Sequence, residues 1–289
     1  MKSIVAIGTL CLASAANAGP TSAEPFGRIA LSGIYASEAS QADDEELDGS
    51  ALVARGDAGV RFNPRGNVSR VQVTTNYYSY FTRKDRWSNS LEAEQTFRLG
   101  KGLDISFEGA AATNLLTLES RSTDQVRLAG QASLESGNHR FTLGAGTRRR
   151  WYDRSDATSW SPFGDVAYRY RFGSWHLLEI EARGESVNSD LDTLDYKRLA
   201  MSAFYTRPLN RVTRIRAGVT HRRWSWDERL TADGNQRRER LWLPQLRLTR
   251  QLGDRFEFEL DYRRIIRRSN DPNFDRNGNR LAATIRKDF

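Results

Sequence analysis

Arginine recurs at every second position along several segments of this chain. Successive side chains of a β-strand point to opposite faces, so this spacing collects guanidinium groups on one face. A guanidinium group binds carboxylates and phosphates through two parallel hydrogen bonds, so such a face would attract anionic groups. The arginines predicted to share this face are Arg127, Arg148, Arg150, Arg169, Arg171, Arg198, Arg214, Arg216, Arg222 and Arg247.

Acidic residues alternate in the same way on other segments, and two interpretations of the combined pattern stay open. In the first, arginine and carboxylate faces pair across a shared interior and fill it, each pair contributing only about 0.2–1 kcal/mol. In the second, unpaired arginines face water and bind anions. The sixth to eighth predicted strands favour the second interpretation, because we assign only Asp165 as an acid that offsets the lumenal arginines of these three strands.

Residue patterns for catalysis or metal binding are sparse. Ser225 with His221 is the one candidate for the Ser–His pair that a lipid hydrolase could carry at a barrel rim. The other histidines, His139 and His176, are far apart in the sequence, and we interpret all three as interfacial aromatic residues. Cys11 is the single cysteine. We therefore predict no cofactor, no metal and no enzymatic activity.

The apolar residues also alternate, with the parity opposite to that of the arginines. At the end of the chain, Leu281, Ala283, Ile285 and Phe289 alternate with polar residues, which predicts a strand with one apolar face. Segments of this kind follow one another along the chain. We place fourteen strand centres near residues 31, 57, 74, 95, 107, 130, 145, 168, 180, 201, 217, 246, 259 and 284.

Residues 1–18 have the form of a secretory signal peptide, with Lys2, an apolar run and the small residues Ala16 and Ala18. The rest of the chain has no apolar run long enough for a membrane helix, and the whole sequence has a mean hydropathy of -0.65. A membrane strand needs apolar residues only at every second position, provided that the barrel closes. We predict that residues 19–289 form one all-β domain, an antiparallel transmembrane barrel in a Gram-negative outer membrane.

The lengths of the predicted connections favour this barrel over a soluble sandwich. Turns after even-numbered strands are short, as at 99–102 and 251–254, whereas polar connections after odd-numbered strands are longer. Short periplasmic turns and long outer loops are typical of outer-membrane barrels. The longer connections are 41–50, 152–162, 187–195, 227–239 and 267–279. An aromatic girdle is predicted at the outer strand ends, formed by Trp87, Trp160, Trp224, Trp226 and Tyr152.

The expected partners follow from this location. A last strand that ends on Phe289 resembles those of bacterial outer-membrane proteins in general, in which the residue belongs to a signal read by the barrel-insertion machinery. We also expect contact with outer-membrane lipids and lipopolysaccharide. The sequence pI of 9.8 does not predict nucleic-acid binding, because the chain carries a secretion signal. The acidic residues 43–48 are interpreted as a solvated outer loop.

The final hairpin, "FELDYRRIIRRSNDPNFDRNGNRLAATIRKDF", resembles the last hairpin of the barrel domain in surface lipoprotein assembly modifier proteins. The similar features are a basic strand, the Arg268-Ser269-Asn270 step, an Asp-Arg-x-x-Asn-Arg loop exit at 275–280 and a Lys-x-Phe end. The resemblance implies a fourteen-stranded barrel that exports lipoproteins. Those proteins typically carry a periplasmic helical repeat domain, for which this sequence leaves no room, so a separate periplasmic partner is a further possibility.

Together these patterns predict a non-enzymatic barrel that provides a translocation pathway for anionic or anion-tipped substrates. The pathway could serve assisted export, as the hairpin resemblance implies, or porin-like diffusion. Two alternatives stay open: a barrel lipid hydrolase with the Ser225 and His221 pair, and a structural barrel whose lumen is filled by ion pairs.

Overall fold

The computed structural model describes residues 23–37, 49–63, 67–81, 84–120, 122–153, 155–173 and 176–289. Fourteen antiparallel strands form one closed barrel in which every strand pairs with its sequence neighbours and β1 pairs with β14. Each predicted strand centre falls within its strand. The strands are Ala23–Ser37 (β1), Ala51–Phe62 (β2), Val68–Tyr80 (β3), Arg86–Arg98 (β4), Leu103–Leu115 (β5), Thr123–Ser136 (β6), His139–Tyr152 (β7), Thr158–Phe172 (β8), His176–Ser189 (β9), Tyr196–Pro208 (β10), Thr213–Leu230 (β11), Gln236–Gln251 (β12), Phe256–Ser269 (β13) and Arg276–Asp288 (β14).

The alternation of residue types separates an apolar outer face from a polar lumen. On β7, Leu143 is 65% exposed on the outside, whereas Arg148 and Arg150 are buried within the barrel. An exposed apolar surface of this kind is stable in contact with lipid. Within the described ranges, no helix is long and apolar enough to cross a membrane.

The outer connections are shorter than predicted. β9 continues to Ser189, β11 continues to Leu230 and β13 continues to Ser269, so only residues 190–195, 231–235 and 270–275 remain between strands. Above the lipid both faces of a strand contact water, so the residues there need not alternate between apolar and polar. The strands therefore extend beyond the segments that the apolar alternation marks. The predicted signal peptide (1–18) and the acidic residues 43–48 lie outside the described residues.

The seam between β1 and β14 closes the barrel and removes both sheet edges. Arg28 forms an ion pair with Asp288, and the hydroxyl groups of Ser32 and Thr284 lie 2.8 Å apart. The backbone N–H of Phe289 donates to the carbonyl of Gly27 at 2.9 Å, and the Phe289 ring is exposed on the outer face. Phe289 therefore occupies the predicted position at the periplasmic end, while its role in barrel insertion stays a prediction.

Substituting Leu260 with arginine should destabilise the barrel. Leu260 lies on the outer face of β13 between Phe258 and Tyr262, within the apolar band, and a charge there costs about 2–4 kcal/mol near the bilayer midplane. The measurement is the unfolding free energy in urea after refolding into liposomes. Leu252→Arg, in an exposed periplasmic turn, is the matched control. Equal losses for the two variants would contradict the assignment of Leu260 to the lipid face.

Candidate functional site: the barrel lumen

Most of the predicted lumenal arginines are paired with carboxylates from other strands or from the connection between β5 and β6. The pairs are Arg127 with Glu108, Arg148 with Glu185 (2.6 Å), Arg150 with Glu119 (3.3 Å), Arg169 with Glu179 (2.9 Å), Arg198 with Glu185 (2.8 Å), Arg214 with Glu257 (3.0 Å), Arg216 with Glu179 (3.0 Å) and Arg247 with Asp261 (2.9 Å). Arg171 is exposed near the periplasmic end of β8, and Arg222 is half-buried on β11. The expectation that Asp165 alone offsets the arginines of residues 127–171 is therefore wrong.

The reason for this error is that the acids come from neighbouring strands and from a loop. Glu185 of β9 lies between Arg148 of β7 and Arg198 of β10, and its carboxylate is fully buried. Such a contact skips a strand, because side chains on the concave face of a barrel converge toward its axis. The alternation of residue types within one strand shows which side chains face the lumen, but it does not show which residues of other strands they contact.

A group of buried side chains fills one side of the outer half of the lumen. We name this group, defined by Val187, Tyr196, Trp224, Trp226, Leu241, Leu243 and Ile265, the plug cluster. Trp224 and Trp226 were predicted to belong to the outer aromatic girdle, but they share the parity of Arg222 and point inward. Tyr152 is also buried, and its hydroxyl lies 2.8 Å from that of Ser159. Trp87 and Trp160 are exposed on the outer face, as predicted.

Residues 116–120 and 122, between β5 and β6, fold into the lumen, and we name them the inner loop. Leu118 packs against the plug cluster, while Glu119 pairs with Arg150 and accepts a hydrogen bond from the Tyr196 hydroxyl. Asn114 precedes the loop with φ +55°, a left-handed conformation that asparagine tolerates better than most residues. The ladder between β5 and β6 shifts register there, and such bulges redirect a strand end.

On the other side of the inner loop, a cavity of about 320 Å³ remains open within the barrel. We name it the lumenal cavity. Of the residues that the structure describes, five arginines and no acid line it: Arg28, Arg55, Arg86, Arg280 and Arg286. None of these was among the ten arginines predicted to form the site. Their inward parity on β1, β2, β4 and β14 was visible in the sequence, but each strand carries only one or two of them.

Arg86 differs from the other four arginines of the lumenal cavity. Arg28 pairs with Asp288, Arg55 with Asp57, Arg280 with Asp261 and Arg286 with Glu257. The guanidinium of Arg86 instead stacks on Tyr78, 4.6 Å from the ring centroid. Among the described residues, its Nε and Nη1 atoms are buried with no hydrogen-bond partner. The positive charge of Arg86 is therefore not balanced by a carboxylate of the described chain.

The remaining candidate chemistry is not assembled. His221 and Ser225 are four residues apart on one strand, about 13 Å at 3.3 Å per residue, so they do not form a nucleophile–base pair. His221 instead contacts Trp242, with 4.2 Å between ring centroids. His139 and His176 accept or donate hydrogen bonds with Tyr168 and Tyr205 in a periplasmic aromatic belt. No group of metal-binding side chains occurs in the described ranges.

The closed barrel, the apolar outer face and the periplasmic and outer aromatic belts place this chain in the class of bacterial outer-membrane β-barrels. Its fold is similar to that of the outer-membrane channel DcaP of Acinetobacter baumannii, with 10% identity, a TM-score of 0.58 and coverage of 93% of this chain and 97% of that chain. An anion-selective porin from Comamonas acidovorans has 10% identity and a TM-score of 0.57, with 93% and 100% covered.

A third similar structure is a loop-deletion variant of OmpT, an outer membrane protein of Vibrio cholerae. It has 11% identity and a TM-score of 0.56, with 94% of this chain and 100% of that chain covered. No protein-family model matches the sequence. No curated protein matches it either.

Proposed function

We propose that this barrel is a non-enzymatic diffusion pathway for anions, which pass through the lumenal cavity beside the inner loop. The observation that carries the proposal is that arginines are the only charged residues of the described chain in the cavity lining, and that Arg86 has no carboxylate partner among the described residues. A cavity enclosed by low-dielectric walls concentrates the field of such charges and raises the local concentration of anions. An anion-selective porin from Comamonas acidovorans has a similar fold, which supports the proposal at the level of architecture.

The same cavity favours small organic anions with an apolar part. Ile34, Val53, Tyr78 and Leu116 line it together with the arginines, so the cavity offers both apolar and cationic surface. A carboxylate could contact Arg86 while its hydrocarbon part displaces water from the apolar wall. A sugar acid is strongly hydrated, so its contact with the apolar wall contributes less binding free energy. We therefore propose aromatic or short-chain aliphatic carboxylates as the substrate class.

Replacing Arg86 with glutamine should lower the anion selectivity of the pore. The reversal potential across a planar bilayer in a KCl gradient measures this selectivity. Comparing the permeability for benzoate with that for gluconate measures the preference for an anion with an apolar part. We expect the wild-type barrel to prefer chloride over potassium and Arg86→Gln to shift toward zero selectivity. Raising the salt to 1 M should weaken the preference, because screening shortens to about 3 Å.

Arg171→Gln is the matched control, because it removes the same charge from an exposed position near the periplasmic end of β8. It should leave the selectivity close to that of the wild type. Selectivity that is unchanged in Arg86→Gln, or a cation-selective wild type, would contradict the proposed pathway. Equal permeation of benzoate and gluconate would contradict only the substrate class.

A structural barrel that conducts nothing is the second candidate, and the plug cluster with its surrounding ion pairs favours it. Its signature in the same experiment is the absence of channels from correctly folded protein. Assisted export, which the last hairpin suggests, is a further proposal that rests on sequence resemblance alone.

A further inference from the structure

A row of arginines crosses the outer face of the barrel on β11, β12 and β13. Arg223 lies directly opposite Arg240 across the β11–β12 ladder, and Arg240 lies directly opposite Arg268 across the β12–β13 ladder. All three side chains are exposed. We name these three residues the outer arginine row. Because they have the parity of Trp242 and Leu246, they point away from the lumen and play no part in the proposed pathway.

Like charges placed directly opposite in a sheet destabilise it unless something compensates them. Within the described residues, no carboxylate lies within 4 Å of the three guanidinium groups. Arg268 donates to the Asn277 side chain and to the Arg267 carbonyl, both neutral acceptors. Asp227, an acid farther along β11, forms an ion pair with Lys197 at 3.8 Å. The described part of the chain therefore supplies no counterion for the outer arginine row.

The position of the row indicates which anion compensates it. Trp242 lies two residues below Arg240, about 7 Å along the strand toward the bilayer centre, and is 45% exposed on the outer face. Exposed tryptophans mark the level of lipid headgroups. Leu246 and Leu260 follow below it within the apolar band. The guanidinium groups thus lie just above the hydrocarbon boundary of the outer leaflet, at the level of headgroup phosphates.

We infer that the outer arginine row is a binding site for the phosphate groups of lipopolysaccharide, the phosphorylated glycolipid of the outer leaflet. The acyl chains lie against the apolar band below Trp242, and the guanidinium groups of Arg223, Arg240 and Arg268 bind phosphate oxygens through charge-assisted hydrogen bonds. Three arginines in one row match a ligand with more than one phosphate better than they match a single phosphodiester.

Native mass spectrometry of the purified barrel in detergent, titrated with bisphosphorylated lipid A, tests this inference. We expect one tightly bound lipid A, and about a hundredfold weaker binding for the Arg223→Gln, Arg240→Gln, Arg268→Gln triple variant, because each basic side chain near an anionic lipid surface contributes about fivefold. The Arg207→Gln, Arg211→Gln, Arg255→Gln variant is the control. It removes the same charge from exposed positions at the periplasmic end and should bind like the wild type.

Two further probes separate this site from nonspecific lipid contact. Dephosphorylated lipid A should lose the tight binding, and phosphatidylglycerol should bind much more weakly than lipid A. Equal binding of dephosphorylated lipid A, or of phosphatidylglycerol, would overturn the assignment to lipopolysaccharide phosphates, as would unchanged affinity in the triple variant. Heat-modifiable gel mobility establishes that each variant is folded before it is compared.

Discussion

Replacing the inner loop with a two-residue Asn-Gly turn between Leu115 and Thr123 should raise single-channel conductance several-fold. The loop lies between the lumenal cavity, which Leu116 lines, and the plug cluster, against which Leu118 packs. Asn-Gly suits a tight hairpin between antiparallel strands, so β5 and β6 should still pair. Conductance in planar bilayers at fixed salt measures the effect.

The control replaces the exposed outer residues 232–235 with Asn-Gly, and this change should leave the conductance unchanged. Glu119→Ala provides a milder version of the loop change, because it removes the carboxylate that contacts Arg150 and Tyr196. If the full loop replacement folds but conducts like the wild type, then the inner loop does not limit passage.

Glu239→Ala should destabilise the barrel strongly, with a loss of about 3–5 kcal/mol. Glu239 is fully buried on β12 and accepts hydrogen bonds from Arg237 and Arg267. Removal of its carboxylate takes away the acceptor that the Arg237 and Arg267 guanidinium groups share and leaves two positive charges beside each other in a buried site. Urea unfolding followed by tryptophan fluorescence in liposomes measures the loss.

Glu181→Ala is the control, because Glu181 is an exposed lumenal acid on β9 whose removal should change stability little. A second comparison tests whether the loss comes from the arginines that remain in the site after Glu239 is removed. Changing Arg237 to methionine, Glu239 to leucine and Arg267 to methionine together should restore most of the lost stability, since an apolar substitute has no desolvation penalty. A triple variant as unstable as Glu239→Ala would contradict this explanation.

Much of the architecture was predictable because one parity rule governs every strand. The rule places Leu281 and Phe289 toward lipid and Arg148 toward the lumen, and the structure agrees. The prediction was wrong for Trp224 and Trp226, because it relied on the preference of tryptophan for membrane interfaces. Tryptophan near a strand end suits a membrane interface, but the same parity that assigns Arg222 to the lumen also assigns these two residues there.

The details of the lumen could not be predicted from alternation, because they depend on contacts across the barrel. Glu185 pairs with Arg198 directly across the β9–β10 ladder, but it reaches Arg148, two strands away, only because the strands curve around a common axis. The inner loop turns inward at the bulge beside Asn114, which no periodicity marks. The one available signal was composition, since Leu116 and Leu118 are apolar residues within an outer connection.

The seam between the first and last strands also shapes how the barrel acquires its structure. Every other ladder joins strands that are adjacent in sequence, whereas Arg28 and Asp288 are separated by 260 positions. Bringing such distant segments together costs about 2 kcal/mol more chain entropy than closing a loop one tenth as long. Hairpins such as β6–β7 can therefore assemble first, and the ring is completed last. Until that step, β1 and β14 both present unpaired edges, and an incomplete barrel is the species most exposed to pairing with another chain.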